Sequence, residues 1–205
     1  MLDNKGFDLW ADSYDKSVAA SYEGETYPFA GYKRVLNEIY NRILSIPAKT
    51  VLDIGFGTGY LTSKLYEHGC TIYGQDFSEK MIECAQEKMP NAKLFQGDFS
   101  KGLVKPLTQQ TYDAIVATYS LHHLTDRQKV SFIHSLRALL NDGGCIYIGD
   151  VAFERRTLLE KCREEAGDNW DSDEIYFVMD ELQKDIPEIK FKKMSYCAGL
   201  LSLRK

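Results

Sequence analysis

Apolar residues recur along this chain in two rhythms: a period of 3.6 residues, and short unbroken runs. Residues 32–44 place Val35, Leu36, Ile39, Tyr40 and Ile43 on one helical face, and Pro47 separates this predicted helix from the first apolar run, at Val51. Residues 7–14 place Phe7, Leu9, Trp10 and Tyr14 at the spacing of a second apolar face, with Asp12, Ser13 and Asp15 marking its end. Residues 17–30 are weakly periodic and, with Gly24 and Pro28, read as a loop. From Val51 onward the two rhythms alternate. Strands are predicted from Val51 and over 70–73, 92–95, 114–118 and 145–148. Helices are predicted over 61–68, over 78–88 with Ser78 as its cap, and over 127–140 with Thr125 as its cap. Asn141-Asp142-Gly143-Gly144 makes the turn into the fifth strand.

Strands that alternate with helices predict a parallel sheet covered on both faces. The tail departs from that rhythm. Residues 153–165 and 173–182 read as helices, but the apolar stretches 189–196 and 199–204 are separated only by Cys197-Ala198. That gap is too short for a parallel crossover, so the two are expected to pair antiparallel. The 205 residues fit one domain, taken as a helical N-terminal cap over 1–46 and a core over 47–205.

Composition narrows the setting. The chain is 44% hydrophobic and 27% charged, and nothing in it approaches the roughly 20 apolar residues of a membrane span. The first residues, with Asp3 and Asp8, do not read as a secretion signal, so a cytoplasmic location is expected. The five cysteines lack zinc spacing and read as reduced core thiols; no metal site is expected. A net charge of −5 argues against a nucleic-acid partner.

The chemistry centres on Thr50-Val-Leu-Asp-Ile-Gly-Phe-Gly-Thr-Gly-Tyr-Leu61. A buried strand runs into Gly55, Gly57 and Gly59, and then into a helix whose first amides point back at the turn. This is the build of a ligand-binding elbow. A dinucleotide loop needs its third glycine at position 60, where this chain has Tyr60. Asp53 would repel a phosphate and attract an ammonium or sulfonium. Further along, Asp76 ends the second strand in Tyr73-Gly-Gln-Asp-Phe77-Ser78, where a carboxylate can take both hydroxyls of a ribose. A helix-capping charge is the plainer reading of Asp76. Gln96-Gly-Asp98-Phe99 ends the third strand, and alone it is an ordinary turn.

Together these positions resemble motifs of the class I S-adenosylmethionine-dependent methyltransferases. Over about 9–205 the chain is similar to small bacterial members, the YrrT-like group above all. The shared features are Trp10-Ala-x-Ser-Tyr14-Asp15, the elbow, Gly97-Asp98-Phe99 and Thr118-Tyr-Ser-Leu-His-His-Leu-Thr-Asp126. The resemblance implies a Rossmann-like, doubly wound, mostly parallel seven-stranded sheet with a C-terminal antiparallel hairpin. It implies S-adenosyl-L-methionine as cofactor. Asp53 would meet its ammonium, the Gly55, Gly57 and Gly59 backbone its methionine part, Asp76 with Phe77 its ribose, and Asp98 with Phe99 its adenine. Tyr14 would close over the methionine portion, and Thr118 would open the methyl-transfer site.

No Asn/Asp-Pro-Pro-Tyr, no Pro-Cys and no acidic cluster follows strand four, which argues against base-amine, cytosine-C5 and magnesium-dependent catechol chemistry. Tyr119, His122 and His123 remain, and either histidine could serve as a base or simply pack the start of a helix. The expected acceptor is a small molecule, and no catalytic residue is assigned. A non-catalytic cofactor binder and a nicotinamide-dependent oxidoreductase stay open as alternatives.

Overall fold

The computed structural model describes residues 26–46 and 50–205. The helix predicted over 7–14, and Tyr14 with it, lies outside the described residues. The first described helix, α1 (Tyr32–Leu44), buries Tyr32, Val35, Leu36, Ile39 and Ile43, the face that its periodicity predicts.

After it come β1 (Thr50–Ile54), α2 (Tyr60–Glu67), β2 (Thr71–Asp76), α3 (Glu79–Lys88), β3 (Lys93–Gln96), α4 (Lys105–Thr108), β4 (Tyr112–Thr118) and α5 (Asp126–Ala138). The second half holds β5 (Leu140–Phe153), α6 (Arg156–Ala166), β6 (Phe177–Val178), α7 (Met179–Asp185), β7 (Lys190–Lys193) and β8 (Ala198–Arg204). The main sheet runs β3-β2-β1-β4-β5-β8-β7, with the short β6 added beside β5. Strands β1 to β5 are parallel; β8 lies antiparallel to both β5 and β7. The expected closing hairpin is present.

Successive residues of the central strands serve opposite faces. Val51, Ala114 and Val116 join a core with α1, α2, α3 and α6, while Leu52, Ile54, Ile115 and Ala117 join a second core with α5 and α7. Val51, Leu52 and Ile54 are fully buried, each contributing about 1.5–3 kcal/mol. Helix α1 lies so close to β5 that a Cβ at Gly149 would fall 2.2 Å from Val35 Cγ1.

Predicted boundaries move most in three places. Residues 173–182 are not one helix, because Tyr176, Phe177, Val178 and Met179 are buried in succession. Phe177 and Val178 pair with Ala152 and Phe153 as β6, and only then does α7 begin. The fifth strand is longer than 145–148 and reaches Phe153, since Val151, Ala152 and Phe153 pair with β8 and β6; the helix expected from 153 therefore starts at Arg156. The Asn141–Gly144 turn is a bulge within β5. Tyr112 pairs Leu140 and Ala114 pairs Cys145, while Asp113 accepts a hydrogen bond from Asn141 Nδ2 at 2.8 Å.

Candidate active site

The C-terminal ends of β1 to β4 lie along one edge of the sheet. After β1 the backbone turns through Gly55 (φ 67°), Gly57 (φ 56°) and Gly59 (φ 73°), which side-chain-bearing residues adopt only under strain. Gly55 N donates to Gln75 O at 2.8 Å. A Cβ on Gly55 would stand 2.6 Å from Ser120 Cβ, and Ser120 Oγ in turn donates to Ile54 O at 2.9 Å. The elbow is thus braced by β2 on one side and by the loop after β4 on the other.

A cleft opens over this elbow, lined by Asp53, Gly55, Gly57, Thr118, Tyr32 and Tyr60 among others. Asp53 is 1% exposed, and its Oδ1 has no hydrogen-bond partner among the described residues. Burial, with the Asp76 charge adding to it, pushes its carboxyl up to about 7. A buried carboxylate with one oxygen unpartnered, on the wall of a cleft, is a site for a cation.

Asp76 is also buried, and it works for the fold. Its Oδ2 accepts from Gly57 N at 2.8 Å and its Oδ1 from Ser78 N at 2.9 Å, while Ser78 Oγ caps α3 through Met81 N at 3.2 Å. Asp98 lies beside it, since Gly97 N donates to Asp76 O at 2.8 Å. The Asp98 carboxylate takes the Ser100 amide at 3.0 Å, the Ser100 hydroxyl at 2.5 Å and Lys101 Nζ at 3.2 Å. Partial burial opposes its ionisation, but the Ser100 and Lys101 donors outweigh burial and hold the carboxyl below its ordinary value. Phe77 is half-buried, and its carbonyl accepts from Gln96 Nε2 at 3.3 Å. Phe99 stacks on Phe132 with centroids 6.1 Å apart.

Beyond Thr118 the chain turns at Tyr119, a non-glycine residue with φ of 50° whose ring packs against Tyr32 (5.0 Å) and Phe29 (5.6 Å). Next stands His122, 6% exposed, with Nδ1 at 2.7 Å from Asp150 Oδ1 and Nε2 at 3.3 Å from Glu174 Oε1. Burial opposes its charge, but the two carboxylates raise its pKa to about 10. Burial and the His122 charge push His123 down to about 4. Glu174 accepts from Tyr176 Oη at 2.6 Å, and the Tyr176 and Tyr27 hydroxyls share a short hydrogen bond. Trp170 stacks on Tyr27 at 5.1 Å and meets Tyr176 edge-on at 5.0 Å.

Residues 51–144 match the family model of the methyltransferase domain. An uncharacterised methyltransferase of Geobacillus sp. strain WCH70 is 42% identical over 161 residues, 78% of this chain and 72% of that protein. One from Alkaliphilus oremlandii is 31% identical over 90% of this chain and 82% of its own length. The chain belongs to the class I S-adenosylmethionine-dependent methyltransferases. Among solved structures the methyltransferase superposes on the DhpI–SAH complex with a TM-score of 0.72 at 18% identity, over 98% of this chain and 94% of that one. The magnesium protoporphyrin IX methyltransferase ChlM of Synechocystis PCC 6803 gives 0.66 at 17%, over 96% and 99%. These likenesses show the fold.

The methyltransferase brings Asp53, Gly55, Gly57 and Thr118 to one cleft, with Gly59 turning the chain into α2. Asp76 and Asp98 lie at neighbouring strand ends on the same edge. Phe99 lies near Gly55 but faces a second groove with Leu124, Gln128 and Phe132. Sequence reasoning missed Asp150 and Glu174. Asp150 follows an apolar run as Asp76 does, and the same rule would have found it; Glu174 carries no local signal.

Proposed function

We propose that this methyltransferase binds S-adenosylmethionine across the ends of β1 to β3 and methylates a small molecule presented over residues 118–123. The observation that carries the reading is the partnerless Asp53 carboxylate oxygen in the wall of the elbow cleft, the environment that the cofactor's ammonium fits. The glycine elbow admits the methionine part to bare backbone. Asp76 keeps its strand-end position while holding Gly57 N, which leaves its carboxylate beside the elbow for a ribose, with Phe77 next to it. Asp98 and Phe99 supply an acceptor and an amide for the adenine edge.

When bound, the cofactor supplies a sulfonium-activated methyl carbon. The chain binds, orients and excludes water. Thr118 lines the cleft and Tyr119 packs under Phe29 and Tyr32, so the start of the loop after β4 forms the floor on the acceptor side. A small acceptor is supported by the net charge of −5, which offers no basic surplus for a polyanion. ChlM, of the same fold, is named for magnesium protoporphyrin IX. Among the described residues no helix is long and apolar enough to cross a membrane, and we place the enzyme in the cytoplasm.

Calorimetric titration with S-adenosylmethionine and S-adenosylhomocysteine tests the reading. Saturable binding of both to the wild type, lost in Asp53→Ala, supports it; no binding of either to the wild type overturns it.

A further inference from the structure

The loop after β4 and the segment before β6 bring His122, His123 and Glu174 together, and one ligand atom from each lies within 4.8 Å of the others. We propose that these three side chains form a binding site for a divalent transition-metal ion of the zinc type, beside the methyl-transfer site. The ligand set is independent of where the cofactor binds.

The spacing of the ligand atoms suits a metal ion better than a direct hydrogen bond. His122 Nε2 and Glu174 Oε1 are 3.3 Å apart. A charge-assisted hydrogen bond between such groups closes to about 2.7–2.9 Å. Two ligands on a tetrahedral ion with bonds of about 2.0–2.2 Å stand about 3.3–3.5 Å apart. The pair is thus set at the edge length of a metal site, and rotation of the His123 ring, 4.4 Å from that of His122, completes the face.

The outer contacts are those that metal ligands use. His122 Nδ1 is held at 2.7 Å by the fully buried Asp150, which fixes the ring, so that an incoming ion displaces the Nε2 proton to solvent and takes Nε2 as its ligand. Asp150 Oδ1 is itself held by Val151 N at 2.8 Å, while its Oδ2 is buried without a partner among the described residues. Tyr176 Oη donates to Glu174 Oε2 at 2.6 Å, which leaves Oε1 facing His122. Ile175 N donates to His122 O at 2.8 Å, locking the two segments that supply the ligands. Once His122 gives up its proton, the Asp150 and Glu174 carboxylates around it favour a cation in its place.

The donor set selects the ion. Two imidazoles and one carboxylate suit zinc and its neighbours, whereas magnesium and calcium prefer oxygen ligands throughout. Three protein ligands leave one position for water or for a heteroatom of the acceptor.

The test uses the untagged, chelator-stripped full chain titrated with Zn²⁺ by calorimetry and with Co²⁺ by visible absorption. Expected are one ion per chain and intense tetrahedral Co²⁺ bands. His123→Ala and Glu174→Gln should each weaken Zn²⁺ binding by roughly tenfold or more, with an unchanged circular dichroism spectrum. Cys84→Ser, at a half-buried thiol away from the cluster, should bind like the wild type. Absence of saturable Zn²⁺ binding by the wild type overturns the proposal, as does an affinity that neither ligand substitution alters. S-adenosylhomocysteine binding, measured on the stripped protein, reports the cofactor reading separately.

Discussion

The Gly57 amide donates to Asp76 Oδ2 at 2.8 Å, so the carboxylate at the end of β2 holds the glycine elbow that succeeds β1. The other oxygen of the same carboxylate holds Ser78 N at the start of α3. One side chain therefore sets the shape of the loop and the entry of the next helix. Asp76→Ala leaves two backbone amides without their charged acceptor, a loss of about 2–4 kcal/mol. Urea unfolding should show the lowered stability, and calorimetry should show weakened S-adenosylhomocysteine binding in the same variant.

Asp53 behaves in the opposite way. Its folded-state pKa of about 7 lies above the unfolded value of about 3.9, so its contribution to stability is complete below pH 4 and is lost as pH rises through 7. Asp53→Asn should therefore raise stability at pH 8 by roughly 2–4 kcal/mol while abolishing cofactor binding. In the wild type, S-adenosylhomocysteine affinity should rise between pH 6 and 8 as the carboxylate ionises to meet the ammonium. Thermal melts and calorimetry across that range read both effects, and a pH-independent affinity would contradict the ammonium contact.

Gly55 and Gly69 share a positive φ, 67° and 83°, but not their surroundings. A Cβ at Gly55 would meet Ser120 Cβ at 2.6 Å, whereas nothing lies within 4 Å of one at Gly69. Gly69→Ala should cost only the left-handed backbone penalty of about 1–2 kcal/mol. Gly55→Ala should cost more, because Ser120 must give up its bond to Ile54 O, and it alone should reduce cofactor affinity. Chemical denaturation of the pair gives the comparison.

Lys129 is 1% exposed, with Nζ bonded to Asp126 at 3.1 Å and to the Ile175 carbonyl, 4.7 Å from the Phe177 ring centre. It clamps the segment that carries Glu174 and Tyr176. Lys129→Met keeps the aliphatic stem and strands that carbonyl, at a cost of about 1–3 kcal/mol. Hydrogen exchange should rise over residues 172–178, while S-adenosylhomocysteine affinity stays that of the wild type.

The features legible in the residue pattern are local: the buried face of α1, the apolar run of β1, three glycines at every second position, Ser78 and Thr125 as caps, and two strands too close to cross over. Each arises from periodicity, backbone freedom or chain length, which operate between near neighbours. Packing alone decided that Asp76 braces the elbow, that residues 177–178 add a strand, and that His122 meets Asp150 and Glu174. Those contacts join residues far apart in the chain, and they exist because two layers of helices pack a twisted sheet from opposite sides and bring separate loops to one edge. Burial then decides the chemistry of Asp53, leaving its Oδ1 without a partner among the described residues, while Asp150 and Glu174 charge His122 against its burial, and no residue pattern states these surroundings before the chain has packed.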